Sequence, residues 1–296
     1  MSSGTPNERE ELRQRSDLLR GWLERRLPDD ALAWVDEQVV RIAEAPAGLA
    51  WARAIGLAPR RVGREPLQLA PDEMAAADAV RPGLDASAWT REQAARVLFA
   101  LASARGDTDG FAARLERLVR SGEIGEQIAL LSGLPLYPRP QEFLALAAEG
   151  IRSAVQPIYE AVAHRNPYPA ENLTEAMWNQ MVVKALFIGS PLAPIQQLDG
   201  RRNADLARML VDYAHERWAA NRDVKPELWR CVGPFAEAGG FDELVRVFGY
   251  GSAVERKAAA LALSECPNPD ALVVLESAPE VWRDIRNGKL TWEKLA

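Results

Sequence analysis

Five threonines stand in a chain of 296 residues that holds 49 alanines, and this imbalance constrains the fold more than any motif does. Threonine is β-branched and suits a strand, whereas alanine, leucine, glutamate and arginine, which dominate here, lose least on entering a helix. The expectation is an all-α protein. Apolar residues support it by recurring at helical spacing: Leu12, Leu19, Trp22, Leu23 and Leu27 share one face, and Leu32, Val35, Val39 and Ile42 repeat the pattern after Pro28-Asp29-Asp30. That reads as a helical hairpin. Its start is marked by Thr5-Pro6-Asn7-Glu8, which offers a cap, a proline at the first helical position and a carboxylate that reaches back.

Residues 1–89 form an N-terminal helical region that ends in a long proline-rich loop. Pro59, Pro66, Pro71 and Pro82 punctuate it, Arg60, Arg61 and Arg64 sit at its start, and one short helix is expected around Met74. From Thr90, where Thr90-Arg91-Glu92-Gln93 makes a second capping box, apolar positions mark helices in pairs. Ala258 to Leu263 and Leu272 to Leu275 form another such pair around the turn Cys266-Pro267-Asn268-Pro269. Residues 90–296 therefore read as stacked helical hairpins, a HEAT-like α-solenoid, with the whole chain continuous as one domain. No residue signature of the tetratricopeptide or ankyrin kind repeats.

Composition removes several classes of function. Two cysteines, Cys231 and Cys266, and two histidines, His164 and His215, are too few for a disulfide framework or a four-thiolate zinc site, and no metal is expected. A net charge of −6 argues against nucleic acid as a partner. The longest apolar runs, residues 97–104 and 185–195, fall short of the roughly 20 residues of a membrane span. Charges recur from Glu8 onward, so no signal-peptide core is expected and a cytoplasmic location is. Neither a nucleophile elbow nor a phosphate-binding glycine loop occurs, and no cofactor is expected. The preference for 31 arginines over 5 lysines fits a GC-rich bacterial coding bias.

Polar positions on otherwise apolar segments supply the candidate site. Asn166-Pro167-Tyr168-Pro169 reads as a rigid, extended turn in which Asn166 and Tyr168 form either a binding rim or a packing wedge. Helix 174–188 is apolar almost all round, yet Asn179, Gln180 and Lys184 make a polar stripe beside Phe187, lining either a ligand pocket or a narrow solvent edge. Helix 204–218 gathers Asp205, Arg208, Asp212, His215 and Glu216 within a sector of roughly 100°. Carboxylate and imidazole one turn apart suit acid–base work or a bound polar ligand, and equally suit a solvated salt-bridge ridge. The sharpest version pairs Lys184 with Asp212 or Glu216. Neutralising Asp212, His215 and Glu216 together is then expected to abolish function and leave stability nearly intact.

Four strings, Asn166-Pro-Tyr-Pro-Ala170, Trp178-Asn-Gln-Met-Val-Val-Lys-Ala-Leu-Phe187, Leu206-Ala-Arg-Met-Leu-Val-Asp-Tyr-Ala-His-Glu-Arg-Trp218 and Pro226-Glu-Leu-Trp229, resemble the EboA-type metabolite-traffic protein family. The resemblance is carried by residues 160–235; toward the N-terminus only length and helical character agree. It implies a cytosolic bacterial accessory protein, encoded beside a UbiA-type prenyltransferase, a sugar-phosphate cyclase and a TatD-like hydrolase. Its implied partners are those cluster enzymes and a small-molecule precursor moved or matured toward the periplasm. A scaffold or carrier is the expected role, and an all-α enzyme on a cyclitol-like or prenylated intermediate is the alternative.

Overall fold

The computed structural model describes residues 5–237 and 240–295. Among them the chain forms 18 α-helices and no strand, with one isolated antiparallel bridge between Pro66 and Thr90. The all-α expectation holds. No helix of the described residues is long and apolar enough to cross a membrane. Two compact units divide the chain, Met1–Leu173 and Thr174–Ala296.

The N-terminal unit is built from α1 (Pro6–Glu24), α2 (Asp29–Glu44), α3 (Ala50–Val62), α4 (Pro71–Val80), α5 (Arg91–Gly106), α6 (Phe111–Ser121), α7 (Ile124–Ser132), α8 (Leu144–Arg152), α9 (Gln156–Ala163) and α10 (Tyr168–Asn172). Its organising element is α5, in which every residue from Ala94 to Ala104 is buried. A helix apolar on all sides has to be surrounded, and α1, α2, α3 and α7 pack against it. Both expected capping boxes form: the Thr5 hydroxyl accepts from the Glu8 amide at 3.2 Å, and the Thr90 hydroxyl accepts from that of Gln93 at 3.3 Å.

Two local expectations are corrected. The proline-rich loop is shorter than expected: α3 runs through Pro59 and carries Arg60 and Arg61, leaving 63–70 and 81–90 irregular on either side of α4, the short helix expected around Met74. Proline inside a helix removes a hydrogen bond to the carbonyl four residues back, here that of Ile55. The buried Arg96 of α5 donates its Nε–H to that carbonyl at 3.1 Å and an Nη1–H to the Gly125 carbonyl at 3.0 Å. A charged side chain from a neighbouring helix thus supplies what the proline withholds. At residues 166–169 the chain is not an extended turn, because Tyr168 begins α10 with Pro169 in its first turn, where a missing amide costs nothing.

The C-terminal unit comprises α11 (Glu175–Ile188), α12 (Ala204–Ala219), α13 (Trp229–Val232), α14 (Gly240–Tyr250), α15 (Ala253–Ser264), α16 (Asp270–Glu276), α17 (Pro279–Arg286) and α18 (Trp292–Leu295). Here α15 is central, buried without interruption from Ala258 to Leu263, and α13, α14, α16, α17 and α18 pack on it. Gly233 permits the closest approach, since a Cβ there would lie 2.5 Å from the Ala262 carbonyl oxygen. Helix α11 is capped by Thr174 and stopped by Gly189, whose φ of +80° is open to glycine at little cost. That stop launches the loop from which the candidate site is built.

Candidate functional site

A cavity of about 280 Å³ lies in the C-terminal unit. The loop 191–193 after α11 forms one wall, the turn Lys225-Pro226-Glu227 and Arg230 of α13 a second, and Val254, Trp292 and Leu295 line the remainder. Its shape follows from two side chains that tie the loop down. Glu227 accepts a hydrogen bond from the Leu192 amide at 2.9 Å, and Lys225 donates from Nζ to the Gly189 carbonyl at 2.8 Å. Two residues that flank Pro226 therefore hold the start of the loop at two points, Glu227 accepting from it and Lys225 donating to it.

Behind the turn lies a charged network. Arg230 makes a bidentate pair with Asp199, at 2.8 and 2.7 Å, and reaches Glu293 of α18 at 3.1 Å. The guanidinium holds the Asp199 carboxyl below its ordinary range, and the hydrogen bonds Arg230 donates to Asp199 raise the guanidinium in turn. Arg202 donates to the Arg230 carbonyl at 2.8 Å and to Glu265 at 2.7 Å, while the indole N–H of Trp292 reaches the other Glu265 oxygen at 3.0 Å. Trp292 and Glu293 thereby fasten α18 beside the cavity. Cys231, next in sequence to Arg230, is fully buried, and burial pushes its thiol up to about 12. It is protonated at neutral pH and no nucleophile.

The residues singled out from sequence fall elsewhere. Asn166 and Tyr168 belong to the N-terminal unit and are buried. The Asn166 oxygen accepts from the Tyr168 amide at 3.0 Å, its Nδ2 donates to the Ala161 carbonyl, and the Tyr168 hydroxyl donates to the Pro140 carbonyl at 2.7 Å. Asn179 is buried in a reciprocal amide pair with Asn203, at 3.1 and 2.9 Å, and Asn203 in turn caps α12 through the Leu206 amide. Gln180 faces solvent, and Lys184 lies over the ring of Phe187, which is 71% exposed. On α12, Arg208 pairs with Asp205 and Asp212. His215 bonds Glu243 of α14 at 2.7 Å, and Glu216 is exposed. The structure brings Arg208 to Asp212 and His215 to Glu243. Among the described residues no hydrogen bond or ion pair joins Lys184 to Asp212 or Glu216, and no group of three or more His, Cys, Asp and Glu side chains is placed to hold a metal ion.

Lys225, Glu227, Arg230 and Trp292 were not among the sequence candidates. A signal for three of them lay in the turn beginning at Pro226, whose string Pro226-Glu-Leu-Trp229 directly follows Lys225 and precedes Arg230. Comparison with known families bears on the same segment, since the model of the metabolite traffic protein EboA matches residues 15–233. The chain belongs to the EboA family. The match reaches far to the N-terminal side of residues 160–235, where the quoted strings lie, and covers both loops that build the cavity. Val254, Trp292 and Leu295 lie beyond it. No curated protein matches the chain, and no solved structure does.

Proposed function

We propose that this protein is an accessory carrier of a bacterial biosynthetic cluster, holding a small-molecule precursor in the cavity of its C-terminal unit while the precursor is moved or matured toward the periplasm. The observation that carries this reading is the clamped loop: Lys225 and Glu227 hold a preformed, largely apolar cavity open between secondary-structure elements, the ordinary form of a small-molecule site. Membership of a metabolite-traffic family supports a small molecule as the cargo. Consecutive packed helices, α8 with α9 and α14 with α15, support a HEAT-like stacked surface on which cluster enzymes dock. The enzymatic alternative, on a cyclitol-like or prenylated intermediate, has less support. Its residues Asp212, His215 and Glu216 sit on an exposed ridge, with Asp212 63% exposed, and such pairs contribute little and perturb little.

Mass spectrometry of organic extracts tests the proposal. The parent protein and an Ala193→Trp variant are purified from cells carrying the cluster; Ala193 is exposed on the cavity wall, so the indole fills the space without entering the core. A small molecule is expected with the parent at stoichiometry near one and is lost from the variant. Identical extracts from both would sink the carrier reading.

A further inference from the structure

Resting on that reading of the cavity, we propose that its occupant is an uncharged amphiphile, with an apolar body on the order of ten carbon atoms and one hydroxyl- or amide-like head at Lys225 and Glu227. The size follows from the volume. A space of about 280 Å³ is many times the roughly 10–15 Å³ that one water needs and has room for a body on the order of ten carbon atoms. The body follows from the walls, where Pro191, Leu192, Val254, Trp292 and Leu295 present apolar surface.

The head follows from how the charges are already spent. Arg230, the strongest cation in the lining, is committed to Asp199 in a bidentate pair and to Glu293 besides. Glu293 is 70% exposed and largely screened by water. What remains are Lys225 and Glu227, one of each sign and two residues apart. Each uses part of its capacity on the loop: one N–H of the ammonium goes to the Gly189 carbonyl, and one carboxylate oxygen goes to the Leu192 amide. The ammonium keeps donors and the carboxylate keeps an acceptor. An anionic head would gain Lys225 but face Glu227, and a cationic head would meet the reverse, so neither finds a net counter-charge in the pair. A hydroxyl or amide both accepts and donates, and satisfies the two together.

Three ligands that differ only in the head test this: 1-decanol, decanoate and decylammonium. The protein is labelled with 5-fluorotryptophan, and the Trp292 resonance in the cavity wall is assigned with Trp292→Phe. Decanol is expected to shift that resonance with a Kd at least tenfold lower than either charged ligand. Glu227→Gln keeps an oxygen for the Leu192 amide and removes the negative charge, so the decanoate-to-decanol preference should rise at least tenfold; Lys225→Met should instead favour decylammonium. Decanoate or decylammonium binding the parent as tightly as decanol overturns the neutral head and leaves the cavity as a ligand site. An unchanged preference in both variants overturns the role given to Lys225 and Glu227. If none of the three ligands moves Trp292, the cavity is not a ligand site, and the carrier reading falls with the inference.

Discussion

The Leu192 amide reports directly on the clamp that shapes the cavity. Replacing Glu227 by alanine removes the carboxylate oxygen 2.9 Å from that amide. A hydrogen bond to a charged acceptor is worth about 1.5–3 kcal/mol. Glu227 is half-buried, which places this one near the lower end, at about 1.5–2 kcal/mol. Each 1.4 kcal/mol is a factor of ten, so exchange of the Leu192 amide hydrogen should accelerate roughly 10- to 30-fold in Glu227→Ala. The effect should be local. Lys225 still holds the Gly189 carbonyl, and the loop lies outside the helices whose cooperative opening sets global protection. Glu227→Gln, which retains an acceptor, should stay within about threefold of the parent. Hydrogen exchange read at single residues by NMR decides the matter. Unchanged exchange at Leu192 would refute the clamp, and equal acceleration throughout 174–295 would make Glu227 a global stability element instead.

Other regions give expectations of their own. Glu73 is 5% exposed and hydrogen-bonds Arg26 at 2.8 Å, which holds its carboxyl at about 2 against an ordinary 4.5; the unfolded chain therefore takes up the proton first, and the contribution is full above pH 4.5 and drains as pH falls toward 2. The gap bounds it at about 3 kcal/mol, so urea titrations of Glu73→Gln should show a flatter acid limb than the parent, and superimposable limbs would refute the assignment. Asn179→Ala leaves the Asn203 amide short of a partner and should lower stability by about 1–2 kcal/mol in urea. Changing Asp212, His215 and Glu216 together to asparagine, glutamine and glutamine should shift stability by no more than about 1 kcal/mol and leave decanol binding unchanged, because the ridge does not line the cavity. A thiol reagent should modify only Cys266 in the native protein and both cysteines in urea, since Cys231 is sealed in the core.

Much of the fold was legible because helices advertise themselves locally. The capping boxes at Thr5 and Thr90, the bounds of α11 and α12, and the turn between α15 and α16 are short-range chemistry, and all stand within one residue of where the sequence places them. What was not legible is long-range. Pro59 reads as a helix breaker until Arg96, 37 positions later, is seen to satisfy the Ile55 carbonyl that the proline frees. The burial of Ala94 to Ala104 on every side likewise says that α5 is surrounded, but not by which helices; contact with α1, α2 and α3 depends on tertiary packing that no window of the sequence contains.

The site shows the same limit in a sharper form. A polar residue on an apolar helix invites a functional reading, yet Asn179 spends both halves of its amide on Asn203, a residue that is polar because it caps α12. The residues that line the cavity carry no such contrast. Leu192, Val254 and Leu295 look like any core residue, and Lys225 and Glu227 look like any exposed turn. Their distinction is that loop, turn and C-terminal helix, separated by up to about 100 residues of chain, meet around a space that none of them fills. A cavity of this kind is an absence of side-chain volume enforced by backbone tethers, and sequence patterning records side chains that are present. For that reason the tethering pair, more than the apolar walls, is where the chemistry of the occupant is written: the walls accept any apolar body of the right size, whereas one ammonium and one carboxylate on the same turn discriminate by the charge of the head.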